Sequence, residues 1–124
     1  MFNSGGSGYV LNQAALDILA DNIVKNPQCQ PHLRGFFEDV MVARCLKRIA
    51  GLVPYDTRDA RGRERFLPFT PASHLAYRRN SNDWYTKYSV DLKEGLDCCS
   101  EYSISFHYVK GSLMNGIDTL LYRC

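Results

Sequence analysis

Apolar residues recur at helical spacing in three parts of the chain. From Asn12, a residue suited to capping a helix N-terminus, Ala15, Leu16, Ile18, Leu19 and Ile23 mark an amphipathic helix that should end before Asn26-Pro27. Val42, Cys45, Leu46 and Ile49 repeat the pattern, with Gly51 as the stop. Leu113, Ile117, Leu120 and Leu121 repeat it again behind Ser112, which is placed to cap the last helix. One segment, Tyr102 to Val109, is instead alternating and rich in β-branched and aromatic residues, and predicts a strand with His107 at its end. The rest reads as connections. Asn26 to Gly35 is a loop, Leu52-Val53-Pro54-Tyr55 is short and extended, and Phe66 to Pro71 is apolar but interrupted by proline, so it should pack irregularly over a core.

The second helical pattern is preceded by Phe36-Phe37-Glu38-Asp39, which puts two adjacent acids in a helix first turn. The helix dipole stabilises a carboxylate there by a few tenths to ~1 kcal/mol, and an ionised carboxylate can act as a base. Ordinary capping is the other reading of the same dipeptide. Cys29 and Cys45 lie on either side of the pair. A bridge between them would close a loop of about 17 residues and contribute about 3 kcal/mol, fixing the loop that presents the acids.

The 124 residues suit one domain, and 45% hydrophobic with 23% charged residues suits a globular chain. A net charge of +2, with the basic residues interspersed among acids, shows no nucleic-acid surface. No apolar run reaches the ~20 residues a membrane span requires, and the N-terminus does not resemble a signal peptide. Five cysteines without a Cys-x-x-Cys spacing nevertheless point to an oxidising compartment. A piece of a longer secretory-pathway protein reconciles the two observations.

Further candidates for chemistry are dispersed. Gly5, Gly6 and Gly8 supply a turn, or a close approach of main chain to a ligand, without matching a dinucleotide fingerprint or a P-loop. Arg58, Arg61, Arg63 and Arg65 belong to a densely charged segment, either a solvated loop or a set of guanidinium groups facing an anion such as a diphosphate. Trp84, Tyr85 and Tyr88 lie among amides and acids, as core, as rim, or as faces for a sugar ring. His107 is a structural histidine or a metal ligand.

Taken in order, Ser4-Gly5-Gly6-Ser7-Gly8-Tyr9-Val10-Leu11, Glu38-Asp39-Val40 with Arg44-Cys45-Leu46, Asp56-Thr57-Arg58-Asp59, Gly62-Arg63-Glu64-Arg65-Phe66, Pro68-Phe69, Cys98-Cys99-Ser100-Glu101 and Ser105-Phe106-His107-Tyr108-Val109 resemble the core 1 β1,3-galactosyltransferases of the Fringe-like glycosyltransferase family 31. The resemblance covers nearly all of the chain and corresponds to the C-terminal half of such an enzyme. It implies an α/β chain, residues 1–124 forming one partial domain, the acceptor-side portion of a GT-A-type nucleotide-diphospho-sugar transferase fold. It implies inverting transfer of galactose from UDP-galactose to O3 of N-acetylgalactosamine linked to Ser or Thr. Asp39 is then the base with Glu38 as its alternate, and His107 a ligand to Mn²⁺. Gly5, Gly6, Gly8, Trp84 and Tyr85 line the donor and acceptor cleft. The parent protein would be anchored in the Golgi membrane on its lumenal side, and a homodimer is left open.

The metal site of that family also needs an Asp-x-Asp element, and no Asp-x-Asp occurs in these residues. The chain alone is therefore expected to be inactive, or at most a weak ligand binder. The alternatives are a non-catalytic relative that helps such an enzyme fold, and a small secreted sugar-binding module. Retention of His107 argues against the first.

Overall fold

The computed structural model describes residues 2–32, 35 and 37–123. Phe36 of the aromatic-acidic stretch and Cys124, the last cysteine, lie outside the described residues. The chain divides into two compact units, Met1–Asp56 and Thr57–Cys124.

The first unit is helical. A 3-10 turn at Gly5–Ser7 leads to helix α1, Gln13–Asn22, whose N-terminus is capped as expected: the Asn12 side chain accepts the Ala15 N–H at 2.9 Å. A second 3-10 turn, Pro27–Cys29, is capped by Asn26. Helix α2 runs Glu38–Ala50 and closes on Gly51, whose left-handed φ of 66° suits a residue without Cβ. The apolar face of α2 packs on α1. Leu19, Cys29, Val42, Cys45 and Leu46 form the core, with Tyr9, Leu11, Ile18, Ile23 and Ile49 packed around it. Cys29 and Cys45 are disulfide-bonded within that core. The Arg48 guanidinium also donates to the Gln28 carbonyl at 2.9 Å, tying the last turn of α2 to the same loop.

The second unit holds a parallel two-stranded sheet of β1, Phe66–Leu67, and β2, Ser105–Phe106, with Phe66 opposite Ser105 and Leu67 opposite Phe106. Two short helices, α3 at Pro71–Ala76 and α4 at Trp84–Tyr88, lie in the crossover, and α5 spans Ser112–Tyr122. Thr70 and Asp83 cap α3 and α4, accepting from Ser73 N and Thr86 N. Leu67, His74, Tyr85, Leu92 and Cys98 are buried here, and Cys98 is disulfide-bonded to Cys99.

Several expectations change. The strand predicted over Tyr102–Val109 shrinks to Ser105–Phe106: Tyr102 and Ser103 are drawn into a turn on Ser100, and Tyr108 takes a left-handed φ of 60°. The proline-interrupted Phe66–Pro71 segment, expected to be irregular, supplies β1 and the start of α3, because Pro68 follows the strand and Pro71 falls at a helix N1 position, where a missing N–H costs nothing. Helix α5 begins at Ser112, so Gly111 and not Ser112 occupies the cap position, and no side chain caps it.

Candidate active site

In the Met1–Asp56 unit the acidic pair and the glycine turn meet. Glu38 and Asp39 are the first two residues of α2, where the dipole favours negative charge, and Phe37 in the cap position offers no side-chain hydrogen bond. Neither acid behaves as a simple cap. Asp39 accepts the Gly5 N–H on one oxygen at 2.9 Å and the Val40 N–H on the other at 2.8 Å, so the carboxylate is held in one orientation from both sides. Glu38 accepts a hydrogen bond from the Tyr9 hydroxyl. That bond is the largest cause pushing the Tyr9 phenol up to about 12, with burial and the two carboxylate charges adding to it.

This contact leaves little room for a side chain at position 5. A Cβ there would lie 3.1 Å from Asp39 Cβ and 3.1 Å from Glu38 Oε2, tighter than ordinary packing allows. Gly8 is required for a different reason, its φ of 84°. Gly6 is exposed beside them. Next to Asp39 opens a cavity of about 370 Å³, walled by Tyr9, Val10, Leu11, Val42, Leu52 and Tyr55 among others. A largely apolar pocket of this size with few fixed polar groups is the usual form of a small-ligand site. Among the described residues that line it, Asp39 is the sole carboxylate.

The other candidates belong to the Thr57–Cys124 unit. His107 directly follows β2; its N–H donates to the Leu67 carbonyl at 2.8 Å and its ring stacks on Tyr108 at 3.9 Å. Trp84 is half exposed, and Tyr85 is buried edge-on against Phe69, His74 and Tyr77. No cluster of three or more His, Cys, Asp or Glu able to hold a metal occurs among the described residues. The described residues therefore do not by themselves make a complete Mn²⁺ site, to which His107 could supply at most one ligand.

Two features of this unit were not legible in the sequence. His74 is the most buried polar residue, its Nε2 accepting the Phe69 N–H at 3.0 Å, so its proton is carried on Nδ1, facing the Tyr85 hydroxyl. Burial pushes it down to about 4. The charged segment is ordered around Asp59, which accepts from Arg61 N, Arg63 N and Arg63 Nε. Burial works against its ionisation, but the Arg63 amide, the Ser100 hydroxyl, the Arg63 guanidinium and the Arg61 amide together hold it well below the usual carboxylate range. Arg63 also meets Glu101 at 3.2 Å, and Arg58 meets Asp91 at 3.3 Å. Those two guanidinium groups are thus engaged within the fold. No local rule in the sequence singles out Tyr9, whose role depends on a partner 29 residues away.

Comparison with curated proteins gives the class: the chain is homologous to a glycosyltransferase. One such relative is glycoprotein-N-acetylgalactosamine 3-beta-galactosyltransferase 1 of Xenopus laevis, 35% identical over 125 residues that cover 98% of this chain. The family that the motifs resemble is thus the one to which the chain is related. The match takes in 34% of the frog protein, so the chain spans about a third of that relative's length. No family model matches the chain. No helix among the described residues is long and apolar enough to cross a membrane.

Proposed function

We propose that the chain is the acceptor-side portion of an inverting galactosyltransferase, acting with UDP-galactose on O3 of N-acetylgalactosamine linked to Ser or Thr, in the lumen of the Golgi. The observation that carries this reading is Asp39 in the wall of the cavity, fixed by the Gly5 N–H. Each Asp39 oxygen accepts one N–H and keeps a second lone-pair position for an acceptor hydroxyl. In the transfer, Asp39 takes the proton of the attacking hydroxyl as the hydroxyl oxygen bonds to the anomeric carbon. The bond from that carbon to the diphosphate breaks, and UDP departs with its electron pair. Attack on the face opposite the diphosphate inverts the centre. The 35% identity to a galactosyltransferase supports the donor and acceptor named. Mn²⁺ would neutralise the departing diphosphate, and its ligand set would have to be completed from outside the described residues.

The test has two arms. Titration of the isotopically labelled chain with a GalNAc-threonine glycopeptide should move amide resonances of Gly5, Val10 and Asp39, and an unmoved spectrum at millimolar glycopeptide refutes the reading. In a longer protein containing this chain, Asp39→Asn should lower galactose transfer by about 100-fold with the fold intact. Retained transfer removes Asp39 from the role. The 124 residues alone are expected to bind and not to transfer.

A further inference from the structure

The two acids are adjacent, and a helix separates the directions of successive side chains by roughly 100°. Geometry on α2 therefore selects one of them for the cavity, yet Glu38 has a longer arm than Asp39 and could swing across the first turn unless something restrains it. Its Oε2 already lies 3.1 Å from where a Cβ of Gly5 would be, so it leans over the same turn that holds Asp39. The restraint in the structure is the hydrogen bond donated by the Tyr9 hydroxyl to Glu38 Oε1. Tyr9 is itself half-buried against the core of the first unit and lines the cavity beside Asp39, so its ring is anchored independently of the bond it makes. The phenol stays protonated, and so remains a donor, throughout the neutral range.

We propose that Tyr9 is a positioning residue: its hydroxyl pins Glu38 away from the cavity, leaving Asp39 as the one carboxylate that an incoming hydroxyl meets. This rests on the transferase reading for its purpose, but not for its geometry. A phenylalanine would fill the same space against the α1–α2 core. Only the hydroxyl, and not the ring, is assigned the task.

The experiment compares wild type with Tyr9→Phe in the full chain, labelling carboxylates with a water-soluble carbodiimide and glycine ethyl ester and reading each site by mass spectrometry. Loss of one hydrogen bond should raise Glu38 labelling by about fivefold, with Asp39 changed less than twofold. Equal Glu38 labelling in the two proteins overturns the proposal, since a purely packing role for Tyr9 predicts that result. Should Tyr9→Phe fail to fold, Glu38→Gln serves instead: the Tyr9 phenol, followed by carbon NMR of ring-labelled tyrosine, should fall from about 12 toward 10, and an unmoved phenol overturns the proposal. In a longer protein that transfers galactose, Tyr9→Phe should lower kcat by about tenfold with KM held within twofold, and an unchanged kcat overturns it. Absence of transfer by the wild type would sink the transferase reading alone, leaving the labelling result to decide the role of Tyr9.

Discussion

Removing the Cys29–Cys45 bridge tests how the acids are presented. The bridge joins the 3-10 turn after α1 to the middle of α2, across a sequence separation of 16. In the chain-entropy treatment a closed loop of about this length restricts the unfolded state enough to contribute ~3 kcal/mol. Both cysteines are buried, at 4% and 0% exposure, so truncation to alanine also leaves a void beside Leu19, Val42 and Leu46 that costs about 1 kcal/mol more. A unit of this size seldom holds more than about 3–5 kcal/mol in its core. The double variant Cys29→Ala/Cys45→Ala should therefore lose about 4 kcal/mol, which makes opening of α1 and α2 roughly a thousandfold more frequent at 25 °C. Hydrogen exchange resolved by peptide is the assay: amides of α1 and α2 should lose most of their protection, while those of Leu67 and His107 keep theirs. Wild-type protection of α2 in the double variant would refute the reasoning, showing that helix packing alone holds Glu38 and Asp39 in place.

Two further outcomes are expected. His74 is neutral when folded and takes a proton near 6.5 when unfolded, so as pH falls the unfolded state binds more protons; stability of the second unit is complete above pH 6.5 and declines from there toward pH 4. Urea midpoints at pH 7.5, 5.5 and 4.5 should follow that course in the wild type and flatten in His74→Gln, and parallel curves would exclude His74 as the cause. Gly5→Ala drives a methyl group against Asp39 and should weaken glycopeptide binding by about tenfold without loss of α2 protection. Unchanged affinity would mean that the turn is free to shift.

Much of the local structure was readable because it depends on neighbours in sequence. Asn12 caps α1, Gly51 stops α2, and the period of Val42, Cys45, Leu46 and Ile49 marks the face that packs. The Cys29–Cys45 pairing was available as a proposal, since the two residues flank one loop. Tyr102–Val109 reads longer than the strand it forms because β-propensity reports a surface that suits pairing, and the partner, Phe66–Leu67, supplies only two residues. His74 could not be singled out in the sequence because α3 is only six residues long and the burial of His74 comes from Phe69, in the connection before α3, and from Tyr85 in α4.

By itself the sequence determined helices α1, α2 and α5, the position of Glu38-Asp39 in a first turn and, through its ordered motifs, the relation to a galactosyltransferase. These follow from local propensity and residue order, which survive in a linear string. Only tertiary structure decided what each acid touches. Glu38 and Asp39 are equivalent as a dipeptide; they differ because a backbone N–H 34 residues away meets Asp39 and a phenol 29 residues away meets Glu38. Hydrogen bonds of that span exist only after α1 and α2 have packed and carried the glycine turn to the start of α2.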